Sequence, residues 1–137
     1  MSTELNKSVV LRFNREVIQE GNEAVFKELM ADGFINHSAP EGTSKGAEGM
    51  WHTFQNILRP ALSDLRVTIH DQVAEGDKVT TRKTISGVHD GPLLGITPTH
   101  RNVSIEVIDV VRIENGRYVE HWGLNTLPLV LANLRQA

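Results

Sequence analysis

The chain contains no cysteine. That excludes a disulfide framework, a thiolate nucleophile and any zinc site built on cysteine. Aromatic residues are sparse, at 5% of the chain, and 14 Lys and Arg are outnumbered by 17 Asp and Glu. With a net charge of −3 and few stacking rings, the chain has neither the cationic stripe nor the aromatic platform of a nucleic-acid binder. The same balance offers no attraction to an anionic membrane. No run approaches the roughly 20 apolar residues of a membrane span, and the first residues lack an apolar signal segment. A cytoplasmic protein is therefore expected. The chain has no H-E-x-x-H pair, no phosphate-cradling Gly-Lys loop and no G-x-S-x-G elbow. Its six histidines are scattered without paired spacing, so no metal site is expected.

What is present reads as one domain over residues 1–137, long enough to bury a core. Leu5, Val9, Phe13 and Val17 recur at helical spacing, with Val10 and Ile18 widening the stripe. Ser2 or Thr3 suits the start of this helix and Gly21 its exit. Asn22 can cap a second helix that runs through Met30 and buries Val25, Phe26 and Leu29. Residues 32–46 are rich in Gly, Ser, Pro and Asn and read as irregular. A third helix, about Ala47 to Leu58, places Met50, Phe54, Ile57 and Leu58 on one face beside Trp51, and Pro60 stops it.

From Asp64 the pattern alternates. Leu65, Val67, Ile69 and Val73 suggest a strand, Glu75-Gly76-Asp77 a turn, and Lys78 to Val88 a second strand. After a connection punctuated by Gly and Pro, Ser104 to Thr126 reads as two strands around Glu114-Asn115-Gly116-Arg117, and Leu127 to Leu134 as a short closing helix. Helices first and antiparallel strands afterwards indicate an α+β fold, a strongly curved sheet wrapped by three helices to enclose a pocket.

Asp109 is the residue out of place, lying within Val107, Ile108, Val110 and Val111. Its i±2 neighbours are valines, so alternation points it inward. A carboxylate there costs several kcal/mol unless a partner or a raised pKa compensates. The other reading is a solvent-facing residue paired with Arg112 or Lys83. Whether His121 shares its face depends on the turn. A two-residue Asn-Gly turn sets Asp109 opposite Trp122, and a three-residue turn with a bulge sets it opposite His121. Both registers are open from the residues alone.

The ordered run Glu75-Gly76-Asp77-Lys78-Val79, Arg82, Gly87-Val88-His89-Asp90-Gly91, Gly95 and Pro98-Thr99 resembles the SnoaL-like polyketide cyclases. So do Phe34, His37 and Gly46-Ala47-Glu48 near the front, and Gly116-Arg117-Tyr118-Val119-Glu120-His121-Trp122 near the end. The segment Val107 to Arg112 is locally similar to the part of ketosteroid isomerases that holds their oxyanion-hole aspartic acid. The resemblance implies the nuclear transport factor 2-like cone, a small-molecule organic ligand and proton-transfer chemistry without a cofactor; the apolar surface that the curved sheet leaves uncovered makes a homodimer the expectation. These cyclases carry an acid/base aspartate just past the Glu-His-Trp motif, where this chain has Gly123-Leu124-Asn125-Thr126 and no carboxylate.

Asp109 and His121 are accordingly the expected catalytic pair. His37 in the loop over the expected mouth, Trp51 and Phe54 on the third helix, Arg82, His89 and Asn125 are the expected ligand-binding residues. Arg82 and Asn125 would hold a carbonyl or enolate oxygen. Five of these also have a plain structural reading: a solvated loop histidine for His37, core aromatics for Trp51 and Phe54, an outward strand residue for Arg82 and a rim or structural residue for His89. The leading functional reading is a cyclase, isomerase or hydratase. A non-catalytic ligand binder of the same fold, and an interaction module using the outer sheet face, are the alternatives.

Overall fold

A computed structural model describes residues 2–136. Helix α1 (Thr3–Arg12) starts where the Ser2 hydroxyl accepts the Leu5 N–H, and it continues as wider π-type turns over Phe13–Gln19. Gly21, at φ +72°, ends it, and Asn22 Oδ1 accepts the Val25 N–H to start α2 (Glu23–Leu29). The apolar stripe of α1 is turned from the one its spacing suggests. Leu5 is 55% exposed, whereas Asn6, Val10, Phe13, Asn14, Val17 and Ile18 are buried. Two asparagines, Asn6 and Asn14, thus enter the core-facing side.

Strand β1 (Met30–Asn36) replaces the end of the expected second helix and the start of the expected loop. It is an edge strand with few partners and a register shift, pairing in parallel with the last strand. Such a strand depends on its neighbour, and its own Asp32-Gly33 pair hides it from a propensity reading. Helix α3 (Ala47–His52) runs into a second π-type stretch, Thr53–Leu58, and a single turn α4 (Arg59–Ala61) that holds Pro60.

The long strands follow: β2 (Leu62–Glu75), β3 (Lys78–His89), β4 (Asn102–Glu114) and β5 (Arg117–Asn125), then helix α5 (Leu127–Leu134). The curved, unclosed sheet has the order β1-β5-β4-β3-β2, antiparallel except at β1–β5. Alternation sorts its two faces. Val79, Thr81, Lys83 and Ile85 of β3, and Val103, Ile105, Asp109, Val111 and Ile113 of β4, are buried beneath the helices. Arg82, Glu106 and Ile108 face outward.

The helices meet the sheet through an aromatic cluster. Phe13 stacks on Tyr118 of β5 at a centroid distance of 4.3 Å and lies 6.2 Å from Phe26 and 6.3 Å from Phe54. Phe13 is 2% exposed. Truncating Phe13→Ala should lower unfolding free energy by about 3–5 kcal/mol, because neighbours on three elements cannot all close the void. Urea titration monitored by far-UV circular dichroism would measure the loss.

Candidate active site

The hairpin β4–β5 decides which side chains meet. Its turn is the two-residue Asn115-Gly116 form, both residues at positive φ (53° and 75°). Immediately afterwards β5 gains one extra residue, Val119, between the pairs Ile113–Tyr118 and Arg112–Glu120. This bulge moves the register by one, so Asp109 sits opposite Gly123 and His121 opposite Val111. Neither expected pairing forms, yet His121 ends on the same face as Asp109, one diagonal step away. Gly123 leaves that diagonal open. A Cβ there would lie 3.0 Å from His121 Cε1 and 3.4 Å from Asp109 Cβ.

Asp109 is 5% exposed and its Oδ2 takes two partners: His121 Nε2 at 3.3 Å and Lys83 Nζ at 3.3 Å. Oδ1 is buried with no hydrogen-bond partner among the described residues. Lys83, 4% exposed, also donates to Asn14 Oδ1 at 2.6 Å, and Asn14 donates back to the Val10 carbonyl at 2.8 Å. Asn14, in the π-type extension of α1, is therefore the second partner of a buried ammonium. His121 completes the cluster through Nδ1, which lies 2.8 Å from Asn36 Oδ1 at the end of β1.

Burial is the largest influence on the Asp109 carboxyl and pushes its pKa up. The charge of Lys83, followed by the hydrogen bond and charge of His121, outweighs burial and holds the carboxyl below the ordinary aspartate value. The raised pKa expected of a lone acid among valines is thus reversed by a lysine on the neighbouring strand. Tyr118, buried on the same face before the bulge, has its phenol pushed well above the usual range by burial and by Asp109, so it keeps its proton.

The other expected site residues fall elsewhere. His37 is on the opposite side of β5, where its Nε2 lies 2.7 Å from Glu120 Oε2 and its ring stacks on Trp122 at 4.8 Å. Arg112 donates to the other oxygen of Glu120 at 2.6 Å, and these two partners lower the Glu120 pKa. Arg82 is also on the outer face, 3.1 Å from Asp71, and so cannot reach an oxygen held at Asp109. His89 is fully buried rather than at a rim, with Nδ1 accepting the Thr99 N–H at 3.2 Å. Trp51 and Phe54 are half-buried, packed on Phe26 and Phe13. Asn125 shares the inner face in register, opposite Val107, but its Oδ1 accepts the Leu127 N–H at 2.9 Å where α5 begins.

Lys83, Asn14 and Asn36 are the members of the cluster that sequence reading missed as site residues. The visible signals were a lysine in phase with Val79, Thr81 and Ile85, and an asparagine four residues beyond Val10. Two open grooves mark the surface. One of about 350 Å³ runs past Arg82, Glu106, Ile108, Leu124 and Asn125, and one of about 480 Å³ lies by Asp32, Glu114 and Arg117. Neither is lined by Asp109 or His121. Among the described residues no three His, Asp or Glu side chains converge as a metal cluster, and no helix is long and apolar enough to cross a membrane.

A curved, unclosed five-stranded sheet capped by N-terminal helices is the architecture of the nuclear transport factor 2-like class. Within it, the chain belongs to the SnoaL-like polyketide cyclase family, whose model matches residues 8–131. It is similar to TsrD from Streptomyces laurentii, with 27% identity, a TM-score of 0.84, and 98% of this chain and 96% of that one covered. It is also similar to IdmH from Streptomyces antibioticus, described as a candidate polyketide cyclase, with 27% identity, a TM-score of 0.81 and coverage of 94% and 97%. A protein with a ketosteroid isomerase-like fold from Catenulispora acidiphila, 18% identical with a TM-score of 0.67, covers 90% of this chain and 89% of its own and shares the fold. No curated protein matches the sequence.

Two outcomes follow from this geometry. Because the Asp109 pKa is depressed in the folded state, its contribution to stability is complete above the unfolded-state value near 3.8 and is lost as pH falls through the lower folded value. Urea midpoints measured from pH 6 to pH 2 should fall on that acid limb, and the fall should be shallower in Asp109→Asn. Separately, Gly123→Ala should leave the far-UV spectrum unchanged while the new methyl displaces the His121 ring. Histidine ring signals in NMR would report the displacement.

Proposed function

We propose that this protein is a cyclase- or isomerase-type enzyme that binds a small, largely apolar carbonyl compound on the inner face of the cone. The reaction is a cofactor-independent proton transfer of the aldol cyclisation, isomerisation or hydration kind. The observation that carries the proposal is the buried Asp109–His121 contact, whose carboxylate keeps one oxygen, Oδ1, without a partner. A carboxylate fixed by a lysine and shared with an imidazole is a proton-exchanging pair, and the bare oxygen is a waiting acceptor for a hydroxyl or enol of the ligand. Membership of the SnoaL-like family supports the cyclase reading. General acid–base work of this kind contributes roughly 10²–10⁴-fold, and exclusion of water around the pair strengthens its electrostatics.

A second reading is a non-catalytic binder of the same ligand class. It is favoured by Asn125, which stands in the segment where these cyclases carry an aspartate and spends its carbonyl oxygen on the backbone of α5. Incubation with β-keto esters and dienones, followed by product chromatography, separates the readings. The enzyme reading expects turnover that drops by about 10²-fold or more in Asp109→Asn and in His121→Gln. Equal slow rates in wild type and both variants, with retained binding of the probes, would leave the binder.

A further inference from the structure

The contacts around His121 locate its protons. Nδ1 lies 2.8 Å from Asn36 Oδ1, and the Ser38 backbone N–H donates to that same atom at 3.1 Å. An atom that accepts a backbone N–H is the carboxamide oxygen and not its nitrogen. It has no hydrogen to give, so Nδ1 is the donor. On the other side of the ring, Nε2 faces Asp109 Oδ2 at 3.3 Å, and a hydrogen bond there uses one hydrogen, carried either by the ring or by the carboxyl. That oxygen also receives Lys83 Nζ at 3.3 Å. The ammonium is itself enclosed, 4% exposed, with Asn14 Oδ1 as its other partner at 2.6 Å. An ionised Oδ2 accepts from both neighbours, whereas a protonated one would leave the buried ammonium without an anion, a loss that is costly in a low-dielectric interior.

We infer that the hydrogen shared by Asp109 and His121 rests on Nε2, so that His121 stands in the folded protein as a doubly protonated donor, held by Lys83 through Asp109 on one side and by Asn36 on the other. Among the described residues, the charged side chain in contact with the ring on this side is Asp109, and Lys83 reaches it through the same carboxylate oxygen. His37, Glu120 and Arg112 engage one another on the far side of β5.

The cluster Lys83–Asp109–His121 carries one more positive charge than negative, so it favours a ligand oxygen that is negative or becomes so, as in an enolate or a carboxylate. On the Nδ1 side the acceptor position is filled by the amide carbonyl of Asn36. Asn36 sits at the root of the excursion 37–45, which is closed by its own N–H donating to the Lys45 carbonyl at 2.7 Å. Lys83 and Asn36 are positioning residues in this scheme, and His121 gives a proton before it takes one.

The inference concerns the site on which the proposed function rests, but its readout needs no substrate. An inactive protein can pass the test, and an active one can fail it. The test is long-range ¹H–¹⁵N spectroscopy of the full chain labelled with ¹⁵N-histidine at pH 7.5, with His121 assigned by loss of its signals in His121→Gln. The expected result is two protonated-type ring nitrogens for His121, and a move of Nε2 to the bare-nitrogen position in Lys83→Met as the carboxyl keeps the hydrogen. Lys83→Arg, which retains the cation, should restore the wild-type pattern. A bare Nε2 in the wild-type spectrum overturns the inference whether or not Lys83→Met folds. So does a Lys83→Met spectrum with both His121 signals unchanged.

Discussion

The Lys83–Asp109 ion pair lies beneath the helices with 4% and 5% of each residue exposed, and neither charge can be kept there without the other. Removing water from a carboxylate or an ammonium is among the largest penalties a fold can incur, and it is tolerated only when attraction and hydrogen bonds are both in place. The surrounding structure supplies them from five elements. The π-type extension of α1 brings Asn14 to the ammonium, β3 and β4 set the two charges on adjacent strands, β5 brings His121 to the carboxylate, and β1 anchors the imidazole through Asn36. Asn14 on the buried side of that extension, the bulge at Val119 and the missing side chain at Gly123 make sense as provisions for this one cluster.

Strand alternation divides polar chemistry between two faces that touch the same backbone. Within β5, Glu120 belongs to an outer network with His37 and Arg112, while the adjacent His121 belongs to the buried one. Residues 36–38 repeat the division: the side chain of Asn36 reaches His121, that of His37 reaches Glu120, and Ser38 accepts the Gly123 N–H. The end of β1 therefore fastens both faces of β5 at once. A strand too short and too glycine-bearing to form alone is held by the residues it positions.

This arrangement changes how the absence of a carboxylate at residues 123–126 is understood. An acid there would approach a ligand from the strand end beside α5, where Asn125 instead holds the Leu127 N–H. The buried titratable groups of this chain lie deeper, where Asp109 meets both His121 and Lys83. Fold and family are shared with proteins that differ at these positions, so the chemistry of the site rests on its own side chains and not on the architecture.

Local pattern determined much of the architecture. The caps at Ser2 and Asn22, the glycine exit at Gly21, the Asn115-Gly116 turn and the alternation of β3 and β4 all act within a few residues, so they are legible in one dimension. The burial of Asp109 was legible for the same reason, through its valine neighbours at i±2. Tertiary structure alone decided the rest. A bulge adds one residue to one strand and reverses the face of everything after it, and nothing in Tyr118-Val119-Glu120 announces it. The partners of Asp109 lie 26 and 12 residues away, and the asparagine beyond Lys83 is 69 residues from it. The chain could show that an acid was hidden; whether its pKa was raised or lowered, and whether His121 shared its face, depended on distances that only folding creates.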